Sequence, residues 1–183
     1  MSWFWPSSLL GAWVVFTTGS FALDRLSKGW VERALSPGEV RPILDGFVSV
    51  THTRNPGAAF GLFADATPEL RAILFAAAAS LAVVVTLWQL AQLGPDDRGV
   101  AIALGLVAGG ALGNVADRLP GLGLGTGEVI DFLHVALWPG YDWPDFNFAD
   151  VAIVFGVVGL LVDVVGRESA LRGSALREGE RNP

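Results

Sequence analysis

Three stretches of this chain, Trp3 to Leu23, Ala72 to Leu93 and Gly99 to Ala116, carry no charged residue over lengths that cross a bilayer. A helix needs about 20 mostly apolar residues to traverse the hydrocarbon core. A fourth stretch, Phe146 to Gly166, is interrupted only by Asp150 near its start and Asp163 near its end. The pattern predicts four spans, at about 3–23, 72–93, 99–116 and 148–166, in preference to a soluble bundle with unusually apolar helices. Composition agrees, since 52% of the 183 residues are hydrophobic and 16% are charged, against about a quarter charged in soluble domains. The first span has no basic leader, and its apolar run exceeds a typical signal-peptide core. It is read as a retained helix, although Ser20-Phe21-Ala22 keeps a small-x-small pattern that a cleavage site would also show.

Four spans put both termini and the short loop Gly94-Pro95-Asp96-Asp97-Arg98 on one side of the membrane. The two long connections, Asp24 to Arg71 and Asp117 to Asn147, fall on the other. Positive charge gives no clean orientation, because both sides carry it. The basic tail (Arg167, Arg172, Arg177, Arg181) leans toward a cytoplasmic C-terminus, and residues 167–183 are polar enough to fray. With no cysteine, disulfides and thiol chemistry are excluded. A net charge of −6 argues against nucleic acid as a partner.

The first long connection is β-rich over about 38–68. "RPILDGFVSVTHT" places Asp45-Gly46 between extended segments, a type I′ hairpin signal. "GAAFGLFAD" (57–65) is too short to span and amphipathic enough to lie at the interface as a short helix. Thr67-Pro68 reads as the cap and first residue of the second span. In the third span Gly105, Gly109 and Gly113 recur every four residues, a stripe that signals close helix packing.

Polar residues gather where the third span ends. Asn114, Asp117 and Arg118 are three and four positions apart and share a helix face; ordinary interfacial residues would look the same. Asp150 follows Asn147 by three, which fits a helix cap, yet an acid among Phe146, Phe148, Val151 and Ile153 is costly inside a span. Asp131 stands in "GEVIDFLHVALW", too apolar for a solvated loop acid. Two such carboxyls brought together share one proton, supplying a base for water and an acid for a leaving group. His52 and His134 are isolated and form no HExxH zinc site, and neither a Walker A loop nor a GxSxG elbow is present. "GLGLGTG" reads as a flexible connection, and Trp138, Tyr141, Trp143 and Phe146 as headgroup anchors.

With "DRLSK" (24–28), "RNPGAAFGLF" (54–63), "GGALGNVADR" (109–118), "VIDF" (129–132) and "FNFAD" (146–150), the chain resembles the lipoprotein signal peptidases, or signal peptidase II. Each block is weak alone; their joint order is specific. The resemblance implies an all-α integral membrane protein with four transmembrane helices, a small extracytoplasmic β-hairpin or sheet and a short interfacial helix, organised as one domain over 1–166 with a cytoplasmic tail at 167–183. It implies an aspartyl endopeptidase that cuts diacylglyceryl-modified prolipoproteins on the N-terminal side of the lipidated cysteine, using no metal or other cofactor. Asp131 and Asp150 match the catalytic positions. Asn55, Asn114, Arg118 and Asn147 match residues lining the substrate site, with Asp24 and Lys28 at its edge. Gly57, Gly110, Gly113 and Asp117 match structural positions, Asp117 being expected to orient Arg118. The implied setting is the bacterial inner membrane, with the site extracytoplasmic, the termini cytoplasmic, membrane lipids as neighbours, no nucleic acid, and a monomer. Pro56 and Val151 depart mildly from the pattern. Two rivals remain: a small proton- or ion-coupled transporter, which would favour repeated halves and midplane acids, and a lipid-phosphate transferase binding Mg²⁺ through Asp117, Asp131 and Asp150.

Overall fold

The structure is a computed structural model that describes residues 7–56, 66–119 and 127–181. Along the chain run α1 (Ser7–Ala34), β1 (Val40–Leu44), β2 (Val48–Asn55), α2 (Pro68–Leu90), α3 (Arg98–Arg118), β3 (Val129–Trp138), β4 (Tyr141–Phe146) and α4 (Phe148–Arg181). Helix α3 is the axis, packed by α1, α2 and α4. Its glycines explain how. A Cβ on Gly105 would stand 2.7 Å from the Trp13 carbonyl oxygen, and one on Gly109 would collide with Ser20 and the Thr17 carbonyl. Gly110 would meet the Ala149 carbonyl in the same way, and Gly113 would lie 2.7 Å from Asp24 Oδ2. The expected stripe is thus a packing seam, and Gly110 widens it so that α4 approaches as closely as α1. Thr17 Oγ1 donates to the Gly105 carbonyl across the seam at 3.2 Å.

Among the described residues, α2, α3 and the Phe148–Gly173 portion of α4 are long and apolar enough to cross a membrane. Their outward faces leave large side chains such as Ile73, Leu81, Trp88, Phe155 and Val162 uncovered, which suits a hydrocarbon surrounding. The start of α2 is as expected, with Thr67 accepting the Leu70 N–H and Pro68 following. The tail differs from expectation. Instead of fraying after Arg167, α4 continues to Arg181. Good helix formers supply the reason, with i,i+4 pairs between Asp163 and Arg167 (2.7 Å) and between Glu168 and Arg172 (2.5 Å).

A four-stranded antiparallel sheet, ordered β1-β2-β3-β4, sits at the end of the bundle where α1 and α3 finish and α4 begins. The β1–β2 turn forms at Asp45-Gly46, closed by the Phe47 N–H on the Leu44 carbonyl (3.0 Å), with Gly46 at φ +71°. The second half of the sheet corrects the sequence reading, which made Asp117 to Asn147 a loop. "VIDFLHVALW" is β3, and its near-continuous apolar run hid the alternation that marks a strand. A bulge between Val50 and Thr53 lets Thr51 and His52, adjacent in sequence, both be buried. His52 is structural, its Nδ1 lying 2.9 Å from the Leu35 carbonyl. The expected interfacial helix at 57–65, including Gly57, lies outside the described residues, as does most of the glycine-rich connection.

Candidate active site

Asp131 reaches the site because β3 is buried on both sides. Ile130 and Phe132 enter a small core with Val31 beneath the sheet, and the Phe132 ring meets Phe148 edge-on at 5.5 Å. That contact ties β3 to the first residue of α4. Residues 147–150 then do two things at once. The Asn147 side-chain oxygen accepts the Asp150 N–H (3.1 Å), and Asp150 Oδ2 accepts the Asn147 N–H (3.1 Å), a reciprocal cap of the helix start. The cap consumes the oxygen of Asn147 and frees its amide to donate to Asp131 Oδ1 at 2.7 Å. Cap and functional site are one device.

Asn55 pairs in register with Val129, so Asp131 is its diagonal neighbour on the same face, and its amide donates to Asp131 Oδ2 at 3.0 Å. Asn114, on α3, donates to Asp150 Oδ1 at 2.8 Å. Asp131 and Asp150 together face a cavity of about 540 Å³, walled by Asn114 and Arg118 of α3, Phe75 of α2, and Trp143 and Phe146 of β4. Arg118 is nearly buried, stacked 4.0 Å from the centre of the Phe75 ring, and donates to the Asn114 carbonyl at 3.2 Å. Burial pushes the Asp131 carboxyl up to about 6; the Asp150 charge adds to this, while the amides of Asn55 and Asn147 and the Lys28 charge oppose it. An acid poised there can hold or release a proton near neutrality.

The remaining site residues lie elsewhere. Asp24 and Lys28 are fully buried and do not line the cavity, so the expected contact at its edge gives way to an internal one. Lys28 Nζ lies 2.8 Å from Asp24 Oδ2, 2.7 Å from Asp117 Oδ2 and 3.1 Å from Asn114 Oδ1. Asp24 Oδ1 accepts the Ala149 N–H at 3.1 Å, satisfying one of the open donors of the α4 start. Asp117, expected to orient Arg118, spends its carboxylate on Arg25 and Lys28 and so binds α1 to α3. Gly110 and Gly113 serve the packing seam.

Sequence reasoning missed the clasp on the cavity rim. Asp145, also on the cavity wall, accepts from Thr53 (2.6 Å) and Thr51 (3.1 Å) of β2 and lies 2.8 Å from His134 Nδ1 of β3. It bridges β4 to β2 over the intervening strand. Its only trace in the sequence is the β alternation of a segment read as loop. Phe75 was equally invisible, as one aromatic in an apolar helix.

A family model described as Signal peptidase (SPase) II matches residues 16–166. The lipoprotein signal peptidase of Geobacter sulfurreducens is 39% identical over 150 residues, covering 82% of this chain and 89% of the relative. That of Syntrophotalea carbinolica is 43% identical over 141 residues, covering 77% and 83%. A bacterial membrane enzyme solved by the in meso method at 2.3 Å resolution superposes with a TM-score of 0.73 at 24% identity, covering 87% of this chain and 91% of that one. A second, solved at 1.9 Å, gives 0.69 at 25% identity, covering 84% and 92%.

Proposed function

The chain belongs to the signal peptidase II family of membrane aspartic peptidases, the lipoprotein signal peptidases, and from that premise we propose that Asp131 and Asp150 are its hydrolytic pair. One observation carries the assignment: a single residue, Asn147, ties both carboxylates together at the wall of one cavity. One carboxylate takes a proton from water as its oxygen attacks the scissile carbonyl. The other protonates the departing amine as the C–N bond breaks, and the pair is left sharing one proton as before. Arg118, Asn114 and Asn55 line the space a peptide would occupy and supply donors to its carbonyls, while Asn147, expected there too, is fully buried off the cavity wall and holds Asp131 from behind. Asp24, Lys28 and Asp117 act from behind.

The substrate is a diacylglyceryl-modified prolipoprotein, cut N-terminal to the lipidated cysteine. The chain works as a monomer among membrane lipids with no nucleic acid, as one domain over 1–166 followed by a polar tail. Helix α1 supplies the fourth span. The enzyme sits in the bacterial inner membrane, its site extracytoplasmic and its termini cytoplasmic. The four strands, which come from both long connections, lie together at one end of the bundle, which supports that two-sided layout.

Purified protein in detergent or liposomes is expected to cleave a diacylglyceryl precursor in the presence of a chelator and to ignore the same precursor without lipid. Chelator-sensitive turnover, or equal cutting of both precursors, would overturn the reading.

A further inference from the structure

The asparagine that donates to Asp150 is itself held from behind. An Asn side chain presents a donor at one end and an acceptor at the other, and only its partners decide which way round it sits. Asn114 Oδ1 faces two donors, the Lys28 ammonium at 3.1 Å and the Asn147 amide at 3.2 Å. The ammonium has no acceptor capacity in any rotamer. With the oxygen fixed on that side, the NH₂ group points to Asp150 Oδ1 at 2.8 Å.

We propose that Lys28 is a positioning residue for hydrolysis: its ammonium locks the Asn114 amide in the orientation that presents an N–H to Asp150. The inference rests on the assignment of Asp131 and Asp150 above. The ammonium donates to Asn114 Oδ1 and stands at ion-pair distance from two carboxylates, Asp24 and Asp117. With Arg25 also on Asp117, two cations face two anions before the pair at the cavity is reached. Lys28 therefore needs no help from Asp131 or Asp150 for its own charge balance. It is fully buried and off the cavity wall, so it acts on hydrolysis only through Asn114 and through its field. That field also reaches Asp131, where it favours the ionised form.

The test compares wild type with Lys28→Met and with Lys28→Met/Asp24→Asn, the second keeping the buried charges even so that folding survives. Rates on a lipidated precursor are measured from pH 4.5 to 8, alongside thermal unfolding. The expected result in the paired variant is a kcat lower by about 10- to 100-fold, the range for groups that orient a functional side chain, with KM nearly unchanged. In Lys28→Met alone, where a positive charge is lost and no anion is removed with it, the acidic limb of the kcat profile should also move to higher pH. A folded paired variant with wild-type kcat overturns the proposal. So does a fall in kcat that tracks lost thermal stability while the acidic limb of Lys28→Met stays in place, which is the signature of a merely structural lysine. Cleavage by the wild type in the same assay is the separate check on the Asp131–Asp150 assignment.

Discussion

Two groups of carboxylates lie on either side of Asn114, one enclosed and one open to the cavity, and they are partnered by opposite rules. Asp24 and Asp117 face cations, the fully buried Lys28 and the partly exposed Arg25. Asp131 and Asp150 face neutral amides from Asn55, Asn114 and Asn147, plus one backbone N–H. A cation neutralises an acid and fixes its charge, so that the pair becomes a fastener between helices. An amide orients the oxygens without bringing a neutralising charge of its own, so that Asp131 can still change its proton count. The same residue type thus serves as bolt in one place and reagent in the other, and the donor chemistry decides which.

The largest effect that could break this contrast comes from the reagent side. Asp131→Asn and Asp150→Asn, each keeping the shape, should lower cleavage by about 10⁴-fold or more while the protein still unfolds cooperatively. Either variant working near the wild-type rate would erase the distinction. On the bolt side, Asp117→Asn should cost about 3–5 kcal/mol of stability, because it leaves Lys28 and Arg25 short of a buried counter-charge. The folded fraction should retain far more activity than either dyad variant, as rates corrected for folded protein would reveal.

The smallest effect sharpens the comparison. Burial holds the Asp131 pKa at about 6, above its ordinary 3.8. The folded state therefore binds this proton more tightly than the unfolded chain does, and wild type loses stability as pH rises from about 4 to about 6. Asn cannot titrate. The stability of Asp131→Asn relative to wild type should grow through that window by up to roughly 3 kcal/mol and stay level above it. A difference that is flat from pH 4 to 7, in parallel thermal melts, would place Asp131 in a well-solvated setting.

Much of this was readable from residues alone, for identifiable reasons. Uncharged runs announced α2, α3 and the membrane portion of α4, because helix length and hydrocarbon thickness are coupled. Asp131 and Asp150 stood out because acids among apolar neighbours are costly. What escaped was pairing. Strand β3 has no polar–apolar alternation, since Ile130 and Phe132 on one face and Val129 on the other are all buried. Lys28 and Asp24 sit four apart on α1 and form an ion pair on their helix, yet nothing local says that α3 covers them. Asp145 reaches Thr51 and Thr53, more than ninety residues away, and only the folded sheet reveals why.

The seam of bare backbone on α3 has an evolutionary corollary. Two neighbouring helices press so tightly on Gly105, Gly109, Gly110 and Gly113 that even a methyl group has no room there. The seating of the helix that carries Asn114 and Arg118 is thereby closed to gradual sculpting by sequence drift. Diversity in what the chamber accepts has to arise on its sheet side, where Trp143 remains half open and can be exchanged without shifting a helix.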